Sequence, residues 1–167
     1  MGLFKSKVQK LAESGDLTGI VMLLGDTGKD AQEATVYLAG MGEAAGPALL
    51  GRVLADTSFQ KEQTFSSQVG AALALLERIP DYTFAGCLHV LETESGPVYL
   101  RNAADTYSWL VELQHRDYFD AHYMDDDFDR DAFERWDVFD ACPPLVQQAL
   151  IDYKVPWAMT HWWQPES

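Results

Sequence analysis

A chain of 167 residues with 47% apolar and 12% aromatic content can bury a real core and is too apolar to be disordered throughout. Twelve Lys and Arg against 26 Asp and Glu leave a formal charge of −14, which repels nucleic-acid phosphate and anionic membrane and favours a basic protein partner. Cys87 and Cys142, the two cysteines, form no disulfide framework, so a reduced cytoplasmic protein is expected.

The opening residues MGLFKSKVQKL lack the apolar run of a secretory signal, and no later segment is long enough to span a bilayer. Gly2 and Ser6 match M-G-x-x-x-[ST], a myristoylation pattern short enough to arise by coincidence. Leu17, Ile20, Val21 and Leu24 then recur at i, i+3, i+4 and i+7, the spacing of one apolar helix face. In KDAQEATVYLAGMG, residues 29–42, Ala31, Ala34, Leu38 and Met41 form a second stripe whose small residues allow close helix approach. Val69, Ala72, Leu73 and Leu76 repeat the spacing within QTFSSQVGAALALLERIP. Phe84, Cys87, Leu88 and Leu91 repeat it again, and GPVYLRNAADTYSWLVELQ supplies a further helix with Pro97 in its first turn. Gly15-Asp16, Gly25 to Gly28, Gly40 to Gly42, Pro80-Asp81 and Gly96-Pro97 punctuate these stripes.

The stripes repeat as a unit. VMLLGDTG from Val21, GRVLADTS from Gly51 and LHVLETES from Leu88 align with Leu24, Leu54 and Leu91 in register, and a second helical pattern follows each. No stretch alternates with period two, so the chain reads as all-α: antiparallel helix pairs stacked as a short solenoid, each pair too small to bury its face alone. The run LFKSKVQKLAESGDLTGIVMLLGD and the helix ending AGMGEAAGPALLGRVLAD resemble the HEAT-like repeat family. The matching features are Leu38 to Gly42, Ala45 to Leu49, and Leu54 to Asp56; Lys29-Asp30-Ala31 stands where the family's first helix usually opens with Asp-Val-Arg. The resemblance covers about residues 1–111. It implies a right-handed superhelix and a binding surface rather than a chemistry, because this scaffold hosts many functions. Among relatives of that kind, metal hydroxylases carry His-Glu pairs and DNA glycosylases use basic grooves; this chain has neither a His-Glu dipeptide nor a basic balance. One domain is expected over 1–167, with residues 112–167 a divergent acidic and Trp-rich helical cap.

The acidity is local. Residues 117–140 hold ten acids against two arginines, net −8. Within them YMDDDFDRDAFERWDVFD alternates acids as a calcium loop does, but a loop opened at Asp125 has Arg130 and Trp136 at its sixth and twelfth places. One opened at Asp127 has Ala132 and Val138, so the glycine and the closing carboxylate are missing in both registers. His122 with Asp125 or Asp126 is a weak ligand pattern. Phe128, Ala132, Trp136 and Phe139 instead predict an amphipathic helix, with Asp126–Arg130 and Asp131–Arg135 as i, i+4 pairs and Asp131 and Glu134 in an acidic first turn. Beyond it Pro143 and Pro144 open a helix with Leu145, Ala149 and Tyr153 on one face, and Pro156 stops it. Trp157, Trp162 and Trp163 close the chain, packed on the last helix pair or used as an anchor.

Catalytic patterns are weak. Cys87 and His89 are two apart on a helix and point in different directions; His115, His122 and His161 have no nucleophile beside them in sequence. The expectation is a non-enzymatic module without cofactor or metal that binds a basic protein, an immunity protein or inhibitor being the concrete form. Asp125, Asp126, Asp127, Asp129, Asp131, Glu134, Trp136, Trp162 and Trp163 are its expected contact residues. A scaffold gripping a peptide with its concave face and Trp-rich tail is the alternative, and a fold bringing His115 and His122 beside Glu112 or the Asp cluster would favour an enzyme.

Overall fold

The structure, a computed structural model, describes residues 4–25, 27–57, 66–130 and 138–153, and among these residues all regular secondary structure is helical. The chain divides into two compact units, residues 1–83 and 84–167.

In the first unit, α1 (Lys7–Glu13) opens on a capping box: the Gln9 N–H donates to Ser6 Oγ at 3.1 Å and the Ser6 N–H donates to Gln9 Oε1 at 2.9 Å. It closes in a Schellman motif, with Asp16 N–H on Leu11 O at 2.9 Å, Gly15 N–H on Ala12 O at 3.0 Å, and Gly15 at φ 71°. Asp16 then caps α2 (Leu17–Val21) by accepting from Gly19 N–H at 2.8 Å. The Gly-Asp pair thus ends one helix and starts the next.

α2 is shorter than the stripe to Leu24 suggests. After Val21 the chain tightens into i→i+3 turns, Leu23 N–H to Ile20 O at 3.0 Å and Leu24 N–H to Val21 O at 3.1 Å, which bring both leucines into the core. Five helical residues cannot persist on propensity alone; burial of Ile20 and Val21 holds them. α3 (Lys29–Met41) buries Ala31, Ala34 and Leu38 as the spacing requires, and a short 3₁₀ turn, Gly42–Ala45, leads to α4 (Gly46–Leu54). α5 (Ser67–Leu76) is capped by Ser66 and buries Val69, Ala72, Leu73 and Leu76. α1 packs on α2 and α3, α2 on α3 and α4, and α5 on α3 and α4. Gln68 of α5 joins these layers: it accepts from Arg52 Nε at 2.6 Å and donates to Met22 O at 2.8 Å.

α6 (Pro80–Thr93) starts in the first unit, where the buried Thr83 hydroxyl donates to Leu76 O and Ile79 O, both at 3.0 Å. The second unit takes the rest of α6 together with α7 (Pro97–Gln114), α8 (Arg116–His122) and α9 (Pro144–Asp152); α7 packs on α8 and α9. α7 buries small and polar residues, Asn102, Ala103, Ala104, Thr106 and Ser108, before Leu110 and Val111. The Ser108 hydroxyl is satisfied within the helix, donating to Asp105 O at 2.9 Å. The rings of Phe84 and Tyr107 meet at 4.6 Å. In α9 the buried stripe is Val146, Ala149 and Leu150, whereas Leu145 is exposed. The expected face of Leu145, Ala149 and Tyr153 is therefore corrected by one position, because Val146 continues the i, i+3, i+4 row of Ala149 and Leu150.

The three leucines that align in the sequence, Leu24, Leu54 and Leu91, are all buried, each near a helix C-terminus.

Candidate functional site

The acidic stretch follows α7, whose C-cap His115 is also the N-cap of α8. α8 covers seven residues, RDYFDAH, and buries none of them. With no buried face to hold it, the helix ends at His122, and the chain passes through turns from Tyr123 to Asp129 before helix resumes at Arg130. The expected amphipathic helix is corrected here over Tyr123–Asp129, while its part from 131 to 137 lies outside the described residues. Asp is a poor helix former because its carboxylate competes for nearby backbone N–H groups. Consecutive carboxylates at the C-terminal end of α8 also meet the negative end of the helix dipole. Asp126 and Arg130 consequently do not sit on successive turns of one helix.

The turn is ordered by its own side chains. His122 Nδ1 lies 3.0 Å from Asp125 Oδ2, with both side chains about half exposed. Backbone N–H groups of Asp125 and Phe128 donate to His122 O at 2.9 Å and Asp125 O at 3.0 Å, closing two consecutive tight turns. Two ring rows run side by side from α8 into the turn. Tyr118 meets His122 at 4.5 Å, and Phe119 stacks on Tyr123 at 5.4 Å with the rings 7° apart. Phe128 folds back edge-on to Phe119 at 5.6 Å. Phe119 is thus the hub holding the turn against the helix, and α8 itself contacts α7. Tyr118 is 54% exposed, Tyr123 51% and Met124 78%. Around them Asp117, Asp120, Asp125, Asp126, Asp127 and Asp129 are all exposed.

Of the expected contact residues, Asp125, Asp126, Asp127 and Asp129 fall together after α8 and are exposed. Asp131, Glu134, Trp136, Trp162 and Trp163 lie outside the described residues, as do the Asp131–Arg135 pair and Trp157. Reading the stretch as one helix from Tyr123 missed the contribution of α8. The signal was present in YFDAHY, where aromatic and His residues recur four apart as Tyr118–His122 and Phe119–Tyr123. Phe139 is buried as the helical spacing suggested, but from a π-helical turn at Val138 and Phe139. That turn is fixed by Cys142, whose S–H donates to Val138 O at 3.2 Å, and by Gln147, whose Nε2 donates to Phe139 O at 2.9 Å.

The other side chains with chemical capacity are dispersed. His115 and His122 stand at opposite ends of α8, about 10 Å apart along its axis. Among the described residues no group of three or more His, Cys, Asp or Glu is placed to hold a metal ion. Cys87 is fully buried and His89 exposed, so the two point apart as their spacing implies. Burial pushes the thiols of Cys87 and Cys142 up to about 12, which keeps both protonated and non-nucleophilic near neutral pH. Among the described residues no helix is long and apolar enough to cross a membrane. Protein-family models, curated proteins and solved structures contain no match to the chain.

Proposed function

We propose that this protein is a non-enzymatic binding module whose second unit presents an acidic surface to a basic protein partner. An inhibitor or immunity protein that covers the cationic site of such a partner is the concrete form. The observation that carries the reading is the six exposed aspartates on α8 and the turn after it, held around exposed rings rather than scattered. Charge is divided in the same sense. Residues 84–167 hold 16 acids and five Lys or Arg, net −11, whereas residues 1–83 hold ten and seven, net −3. A field concentrated on one surface speeds encounter with a cationic partner and rejects anionic ones.

The same proposal takes the first unit as a short HEAT-like α-solenoid. Support comes from the order of its neighbours: α3 touches α1 and α5, and α2 touches α4, the alternate-neighbour pattern of stacked helix pairs. Small residues at Ala31, Ala34, Ala45 and Ala72 fit the close approach such stacking needs.

The test is co-purification from native lysate, followed by titration of the recovered partner. A stoichiometric basic protein should bind with an affinity that falls as salt rises. Replacing Asp125, Asp126, Asp127 and Asp129 with Lys should weaken it by about tenfold or more, mainly through the association rate. Binding that ignores both salt and these reversals would overturn the electrostatic reading.

A further inference from the structure

The exposed rings of α8 say something about the partner that charge alone does not. An acidic surface satisfies its Coulomb requirement with either Lys or Arg, and carboxylates by themselves need no aromatic neighbours. Here Tyr118, Tyr123 and Met124 stay in water among the carboxylates, each more than half exposed. Tyr123 is stacked on Phe119 through one face, and Tyr118 is set against His122, so the two tyrosines are oriented rather than free to turn away. Apolar surface of this kind costs free energy when left hydrated unless something covers it.

Resting on the proposed acidic binding function, we infer that this surface takes an arginine-rich segment of its protein partner, with guanidinium planes laid on Tyr118 and Tyr123 and paired to the flanking aspartates. A guanidinium is planar, weakly hydrated and a fork of donors, so it can stack on a ring while its edge hydrogen-bonds a carboxylate. A lysine ammonium is a compact, strongly hydrated charge that gains less from such a face. Asp120 sits three and four residues before Tyr123 and Met124, and Asp125 follows them, so a stacked guanidinium has a carboxylate on either side in sequence. The aliphatic stem of the arginine would lie on Met124.

Oligoarginine and oligolysine peptides of equal length, titrated calorimetrically into the full chain at low salt, separate the two ideas. The arginine peptide should bind several-fold more tightly than the lysine peptide. Tyr118→Leu and Tyr123→Leu keep apolar bulk, and so the packing on His122 and Phe119, while removing the π face. Each should weaken the arginine peptide by about two- to fivefold and leave the lysine peptide nearly unchanged. Unaltered thermal unfolding of these variants would show that the fold is intact. Equal affinity for the two peptides, or an arginine preference untouched by the tyrosine substitutions, overturns the stacking surface while the acidic binding function survives. If neither peptide binds at low salt, the acidic binding function fails with it.

Discussion

At the residue scale the two cysteines are the clearest case of a side chain whose environment sets its chemistry. Cys87 is fully buried on α6, and Cys142 is 4% exposed with its S–H given to the Val138 carbonyl. Burial raises both from an ordinary value near 9 to about 12. The neighbouring Tyr107 hydroxyl is also raised, chiefly by burial and then by the two thiolates that would form beside it. The sign follows from proton uptake. Above about pH 9 the unfolded chain sheds thiol protons that the native chain keeps, so rising pH favours unfolding by up to about 1.4 kcal/mol per unit and per thiol. Below that pH the contribution is complete and flat. Urea denaturation should therefore give constant stability from pH 7 to about 8.5 and a decline between 9 and 12, a decline that Cys87→Ala and Cys142→Ala together make shallower. A thiol reagent at pH 8 should find neither cysteine in the native protein and both in denaturant.

At the element scale the helices are held by ends and by close approach more than by long apolar faces. Ser6, Asp16 and Ser66 each satisfy an otherwise orphaned N–H, worth about 1 kcal/mol apiece. Gly46 shows how a helix start is positioned. A methyl group there would overlap the Tyr82 ring, whereas one at Gly51 of the same helix meets nothing. Helix propensity alone would make both Gly→Ala changes stabilising by about 0.5–1 kcal/mol. Gly51→Ala should show that gain as a higher urea midpoint. Gly46→Ala should instead lose about 1–3 kcal/mol, the cost of displacing a packed ring. Equal gains at both positions would mean that the ring of Tyr82 does not determine the approach. α8 behaves oppositely to these helices: it buries nothing, and ring contacts from Phe119 hold the following turn against it.

At the scale of the whole molecule the formal charge of −14 acts on folding and, in the proposed binding function, on the partner as well, with opposite salt dependence. Self-repulsion among exposed aspartates destabilises the compact state, and added salt screens it. Raising NaCl from about 20 to about 300 mM should raise the melting temperature by a few degrees. The same change should weaken the proposed complex with a basic partner, because there the screened interaction is attractive. Differential scanning calorimetry alongside salt-dependent titration would reveal the two slopes; a melting temperature that falls with salt would show that attractive surface pairs outweigh the repulsion. Among the described residues of the first unit, Lys5–Glu13 is a solvent-exposed pair at 2.8 Å, and Arg52–Asp56, at 3.8 Å, has a buried carboxylate.

Helix was legible wherever the sequence carried both a periodic stripe and its punctuation. Val69, Ala72, Leu73 and Leu76 lie buried on α5, and Gly15-Asp16 marks a helix junction, because these depend on side chains and backbone within a few residues of one another. The exposed acidity of Asp125, Asp126, Asp127 and Asp129 was legible for the same local reason. Their backbone was not. Tyr123 to Asp129 read as the opening turns of a helix, yet a short segment stays helical only where a neighbour covers its apolar side. Instead Phe119 draws Phe128 and Tyr123 onto α8 and turns the chain at the aspartates. In α9 the choice of Val146 over Leu145 as a buried position was likewise settled by burial on folding, since either fits an apolar row when read alone. Local chemistry fixed the helical class and the place of the charge. Tertiary burial decided which rings stay in water beside it, because exposure is a property of neighbours that one-dimensional spacing does not contain.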